Sequence, residues 1–101
     1  MQQRVAHAKW RTVVNGYGTA RLDQRMRCES GGHGGYRLAT TGNPFWFAFQ
    51  FEPRAWYGAG GRQRRGRPAG VWTMQPSRLE QRYRAVVWER RHGGDPWPNC
   101  E

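Results

Sequence analysis

Seven carboxylates face sixteen Arg and one Lys in this sequence, so each acid can be assigned a task in turn. Glu80 follows Ser77 by three residues and reads as half of a helix-capping box. Glu101 is the last residue, Asp95 sits in a Gly-Pro turn, and Glu89, flanked by Trp88 and Arg90, reads as structural or solvated. Asp23 falls on the more polar side of its helix. Glu29 and Glu52 remain. Glu29 lies in Cys28-Glu29-Ser30-Gly31-Gly32 and shares a helical face with Leu22 and Met26, at i, i+4 and i+7. Apolar neighbours raise a carboxyl pKa, and a carboxyl still protonated near neutral pH is what acid-assisted cleavage of a glycosidic bond requires. Arg25 and Arg27 act in the opposite direction. Taken alone, Glu29 reads more simply as a solvated or ion-paired acid at a helix end. Glu52, just before Pro53, reads first as a helix cap and second as the candidate second carboxylate that a hydrolase would need.

These acids must be held by helices whose limits the sequence marks. Residues 3–14 predict a first helix with Val5, Ala6, Ala8, Trp10, Val13 and Val14 apolar, stopped by Asn15-Gly16. Residues 20–30 predict a second, which carries Glu29 and ends at Gly31-Gly32. Pro53 opens a short helix to about Gly58 that presents Trp56. After the cap at Ser77, a helix runs from about Arg78 to Arg91 with Leu79, Tyr83, Val86 and Val87 as its apolar stripe, and Gly93-Gly94 ends it. The Gly- and aromatic-rich stretch 31–61 reads as loops and short elements around a groove, and 60–70, with Arg62, Arg64, Arg65 and Arg67, as an exposed loop.

At 101 residues and 37% hydrophobic content, the chain supports one small core, built largely from big rings, since 14% of residues are aromatic and six are Trp. The two cysteines, Cys28 and Cys100, favour a disulfide and an oxidising compartment, with two free buried thiols as the alternative. No secretion signal is visible at the start, and the most apolar stretch, 45–51, is too short to span a bilayer. The formal charge of +10 predicts attraction to polyanions, either nucleic acid or an anionic cell wall. His7, His33 and His92 show no metal-ligand spacing, so neither metal nor cofactor is expected.

The ordered series Cys28-Glu29-Ser30-Gly31-Gly32, Thr41-Gly42-Asn43, Gln50-Phe51, Trp56, Gly60-Gly61, Glu80-Gln81 with Ala85, and Trp97-Pro98-Asn99-Cys100 resembles the transglycosylase-like domain of the resuscitation-promoting factors of actinobacteria. The resemblance covers about three quarters of the chain. It implies an α+β, mainly helical, small lysozyme-like domain with a glycan-binding cleft, stapled by one disulfide between Cys28 and Cys100. Residues 1–19 would then be an N-terminal extension, helical in part, and 20–101 the catalytic domain. It further implies that Glu29 is the catalytic acid of an enzyme cleaving peptidoglycan glycan strands outside the cell or in its wall. Tyr36, Phe45, Trp46 and Trp56 are candidate cleft walls, because aromatic rings stack on sugar faces, and Asn43 and Gln50 are candidate hydrogen-bonding groups. Where the family usually carries small glycines before its Gln, this chain has Pro44-Phe45-Trp46-Phe47-Ala48-Phe49, which implies a bulkier cleft floor.

Expected partners are peptidoglycan strands and anionic wall polymers, with the chain acting as a monomer. Two rivals come from other classes. A nucleic-acid-binding module would use the charge, yet the arginines are diffuse and no nucleic-acid motif is present. A catalytically inactive peptidoglycan-binding module would keep the cleft without depending on Glu29.

Overall fold

A computed structural model describes residues 2–30, 36, 47, 49, 51, 53–62 and 76–93. Four helices follow one another in the chain: α1 (Gln2–Tyr17), α2 (Thr19–Ser30), α3 (Pro53–Gly58) and α4 (Arg78–His92). The described residues are mainly helical, with Phe51 in an isolated β-bridge. The molecule is compact, with a radius of gyration of 13.1 Å, close to that expected for a domain of this length.

α1 runs past Asn15 and Gly16 to Tyr17, three residues beyond the expected end. The stop is Gly18, at φ +116°, a backbone conformation that a side chain strongly disfavours. Its N–H donates to the Val14 carbonyl at 2.9 Å, and its own carbonyl accepts from Leu22 at 3.1 Å. One glycine thus closes α1 and opens α2. The extra turn brings Tyr17 to the packing surface, where it lies against the core.

α4 is set by its caps. Ser77 is extended at φ −64° and ψ 161°, and its hydroxyl accepts from the Glu80 N–H at 3.0 Å. Gly93 takes a left-handed conformation at φ 77° and donates to the Glu89 carbonyl. α4 packs on all three of the other helices, most extensively on α1. Its buried side differs from the expected stripe. Gln81, Ala85 and Val86 are buried, while Leu79, Tyr83 and Val87 are half-buried. The stripe turns because Gln81 is drawn inward by two carbonyl groups, those of Tyr36 at 2.9 Å and Pro76 at 3.2 Å, which satisfy a side chain that burial would otherwise penalise.

The core gathers Val14, Leu22, Met26, Phe47, Phe49, Phe51, Trp56, Ala85 and Val86. Its centre is aromatic: Trp56 meets Phe47 edge-on at 4.7 Å and Phe51 at 5.0 Å, and Phe51 meets Trp88 at 4.7 Å. The two edge-to-face contacts of Trp56 add about 0.5–1.5 kcal/mol each beyond burial. Phe47 and Phe49, expected to floor a cleft, are fully buried in this core. α1 joins the same body, since Val14 is buried and Trp10 stacks on Tyr83 at 5.4 Å.

Candidate active site

α2 places its acid by ordinary helical periodicity. Leu22 and Met26 are buried, and Glu29, at the last turn, is half-buried beside the same face. Cys28 is exposed one residue earlier. The expected arrangement of an acid bordering an apolar stripe is therefore present. Asn43, Phe45, Trp46, Gln50, Glu52 and Cys100, the other residues expected to bind, react or pair, lie outside the described residues.

Arg25, expected to act on Glu29 as a nearby cation, is itself only 5% exposed. Its guanidinium reaches Glu89 of α4 at 3.4 Å and lies 5.9 Å over the Tyr17 ring of α1. Arg25 is buried and Glu89 half-buried, so this is a largely interior ion pair in which losing one charge penalises the other. The Tyr17 hydroxyl is buried close by, near enough to feel the Glu89 carboxylate but short of hydrogen-bond geometry. Burial, then Glu89, pushes the Tyr17 phenol up to about 12.

A second polar cluster sits earlier on α2. Arg82 grips Asp23 with two parallel bonds, Nε to Oδ1 at 3.0 Å and Nη2 to Oδ2 at 2.9 Å. The Tyr36 hydroxyl donates to the same Oδ1 at 2.6 Å. The Tyr36 ring lies beneath the guanidinium groups of Arg82 at 5.0 Å and Arg78 at 5.7 Å, and tilts against Phe49 at 5.8 Å. Burial, then donation to Asp23, pushes the Tyr36 phenol well above its usual range. Burial alone would lower the Arg82 guanidinium, and its bonds to Tyr36 and Asp23 more than reverse this.

Of the two described rings expected at a cleft wall, Tyr36 is thus engaged by Asp23, Arg82 and Phe49. Trp56 is fully buried, with no ring face open to a ligand. The chain after Trp56 explains why a Gly pair follows it. Gly61 N–H donates to the Trp56 carbonyl and Gly60 N–H to that of Tyr57, both at 3.0 Å, the paired bonds of a Schellman turn with Gly60 at φ +97°. Arg84 and Arg91 donate to the Ala59 and Gly58 carbonyls at 3.1 and 2.6 Å, so cations complete the end of α3. Beside this turn an open hollow of about 550 Å³ is bordered, among the described residues, by Tyr57, Gly60, Gly61 and Arg62. Tyr57 was not singled out by the sequence, where it is one aromatic among many.

The family model for the transglycosylase-like domain matches residues 16–100. The chain belongs to this family. Comparison with curated proteins and with solved structures gave no match. At the level of the family, this transglycosylase-like domain is a peptidoglycan-acting enzyme with lytic activity directed at the cell wall. The match spans the turn into α2, the whole of α2, α3 and α4, and hence Glu29 and both polar clusters. No described helix of the domain is long and apolar enough to cross a membrane. Among the described residues, no group of His, Cys, Asp or Glu gathers that could hold a metal ion.

Proposed function

We propose that this domain cleaves the glycan strand of peptidoglycan between N-acetylmuramic acid and N-acetylglucosamine, with Glu29 as the general acid. The observation that carries this reading is the family match across residues 16–100. It is supported by the position of Glu29, half-buried in the last turn of α2 beside the face that buries Leu22 and Met26.

Two routes share that first step. In a transglycosylase, Glu29 protonates the glycosidic oxygen and then, as carboxylate, removes a proton from the sugar's own hydroxyl as that oxygen closes on the anomeric carbon. In a muramidase, water attacks instead, and Glu52 is the candidate second carboxylate. Asn43 and Gln50 are proposed to hydrogen-bond the sugars, and Phe45 and Trp46 to stack on them. The buried Trp56 would support the cleft from behind. A Cys28–Cys100 disulfide belongs to the same reading. The setting proposed is extracellular or within the wall, where the charge of +10 would hold the protein on anionic wall polymers.

Incubation of wild type and Glu29→Gln with purified peptidoglycan, followed by mass analysis of released muropeptides, tests the proposal. Anhydro ends identify transglycosylation and reducing ends hydrolysis, with release lost in the variant. Equal release by both proteins rejects Glu29 as the acid.

A further inference from the structure

The end of a helix is ordinarily a poor place for an anion, because its last carbonyls carry a partial negative charge. At the end of α3 that charge is covered. Arg91 donates to the Gly58 carbonyl at 2.6 Å and Arg84 to that of Ala59 at 3.1 Å, and the Arg84 guanidinium lies so near Gly60 that a Cβ there would meet its Nη1 at 2.7 Å. Arg54 stands one turn before Gly58 on the same helix, and Arg62 follows the turn, both exposed. Against these four cations stands Glu80, held by Arg84 at 3.2 Å, so among the described residues the turn carries a net positive charge. The hollow of about 550 Å³ beside it is of ligand size. Its shape is fixed, because the Gly60 and Gly61 N–H groups are taken by the Tyr57 and Trp56 carbonyls, Gly61 lies on the Trp56 indole, and the half-buried Tyr57 packs on the core. The hollow thus offers a held aromatic ring, a peptide edge and the Arg62 guanidinium.

A peptidoglycan-acting enzyme meets two chemistries in its substrate. The glycan backbone is uncharged once its lactyl groups are amide-linked, while the stem peptides carry carboxylates next to alanine methyl groups. A guanidinium beside a fixed ring matches the second, since it binds a carboxylate by charge-assisted bonds and gives the methyl an apolar surface. We propose that the hollow beside Tyr57 is a stem-peptide subsite, in which Arg62 binds a peptide carboxylate and the Tyr57 ring carries the adjoining alanine. The proposal rests on peptidoglycan being the substrate, and not on which residue is the acid. No bond is made or broken in the hollow; it adds affinity for strands that bear peptide.

The probe is the synthetic tetrapeptide L-Ala-γ-D-Glu-L-Lys-D-Ala, with its fully amidated form as the version lacking carboxylates, titrated into the isotope-labelled full chain. The amide signals of Gly60 and Gly61 should shift with the acid form. Arg62→Gln, and separately the amidated peptide, should weaken binding about three- to fivefold, the size of a partly exposed charge pair. Tyr57→Ala should weaken it by removing the ring, while Arg11→Gln, which removes an exposed charge on α1, should leave it in place. On soluble, uncrosslinked strands, Arg62→Gln should raise KM about three- to fivefold with kcat unchanged when stem peptides are present, and change neither when an amidase has removed them. Equal weakening by Arg11→Gln, or equal binding of the acid and amidated peptides, overturns the proposal. So does tighter binding of poly(glycerol phosphate) than of peptide at Gly60 and Gly61, which would make the hollow a phosphate site for wall polymers. If wild type releases no muropeptides while the peptide binds as stated, the cleavage reading fails and the subsite stands.

Discussion

The backbone of Gly61 lies directly on the indole of Trp56, so close that a methyl group at residue 61 would overlap the five-membered ring. The ring cannot retreat, because Phe47 and Phe51 pack against it and it has no exposed surface. Gly61→Ala should therefore cost about 3 kcal/mol in stability, the upper part of the usual range for an overpacked core. Gly58, with open space where its Cβ would be, is the contrast, and Gly58→Ala should stabilise by about 0.5–1 kcal/mol. Urea denaturation of both variants reads the difference, and equal midpoints would show that the loop relaxes freely.

Arg25 and Glu89 illustrate how an interior charge depends on its partner. Replacing Glu89 by Leu leaves the guanidinium of Arg25 buried without the carboxylate 3.4 Å away, at a cost of about 3–5 kcal/mol. Arg25→Leu should be similarly harmful, while the double variant should be milder than the sum of the two. A double-mutant cycle by denaturant titration measures this coupling, and strict additivity would show that the pair contributes nothing as a pair.

Alkaline pH should loosen the helix junction through Tyr17. Its phenol is raised from 10.0 to about 12 in the folded protein, so the folded state keeps the proton that the unfolded chain releases first. The stabilising contribution is whole below pH 10 and is lost as pH rises from about 10 through 12. Stability followed between pH 9 and about 12 should fall less steeply in Tyr17→Phe than in wild type. Identical slopes would mean that this hydroxyl titrates alike in both states.

The Ser77 cap predicts a smaller effect. Removing the hydroxyl that accepts from Glu80 N–H should destabilise by about 1 kcal/mol, with helical circular dichroism retained and the thermal midpoint lowered. Ser77→Asp should restore most of this, because a carboxylate at that position accepts the same bond and favours the helix start. A Ser77→Asp protein as unstable as Ser77→Ala would count against the cap.

The sequence marked those elements whose limits depend on residues with a single conformational meaning. Pro53 opens α3, Ser77 and Gly93 bound α4, and α2 ends where the glycines begin. It misplaced the end of α1 because Asn15-Gly16 and Gly18 are all permissive, and only packing of Tyr17 decides which one breaks the helix. The burial of Arg25 and Gln81 was not legible, since a charged or amide side chain reads as surface until its distant partners are known. Phe47 and Phe49 pointed to a cleft floor because the resemblance sets them where the family usually carries glycines, while their neighbours in space are Trp56 and Phe51. Around the candidate site, the helical face that Glu29 shares with Leu22 and Met26 was visible from spacing, while the role proposed for Glu29 came from the resemblance. The pairing of Asp23 with Arg82 was not visible, because they are 59 positions apart in the chain.

α4 touches α1, α2 and α3, yet it is the last of the four to be made. During synthesis the earlier helices can cover little of their apolar surface, and Leu22, Met26 and Trp56 must wait for a partner that has not left the ribosome. Assembly is therefore completed by a late, long-range closure, and a nascent form that still lacks α4 is prone to association. Truncated chains that stop before Arg78 should behave as sticky, unfolded polymers, so this protein has to be delivered whole before it can be shaped.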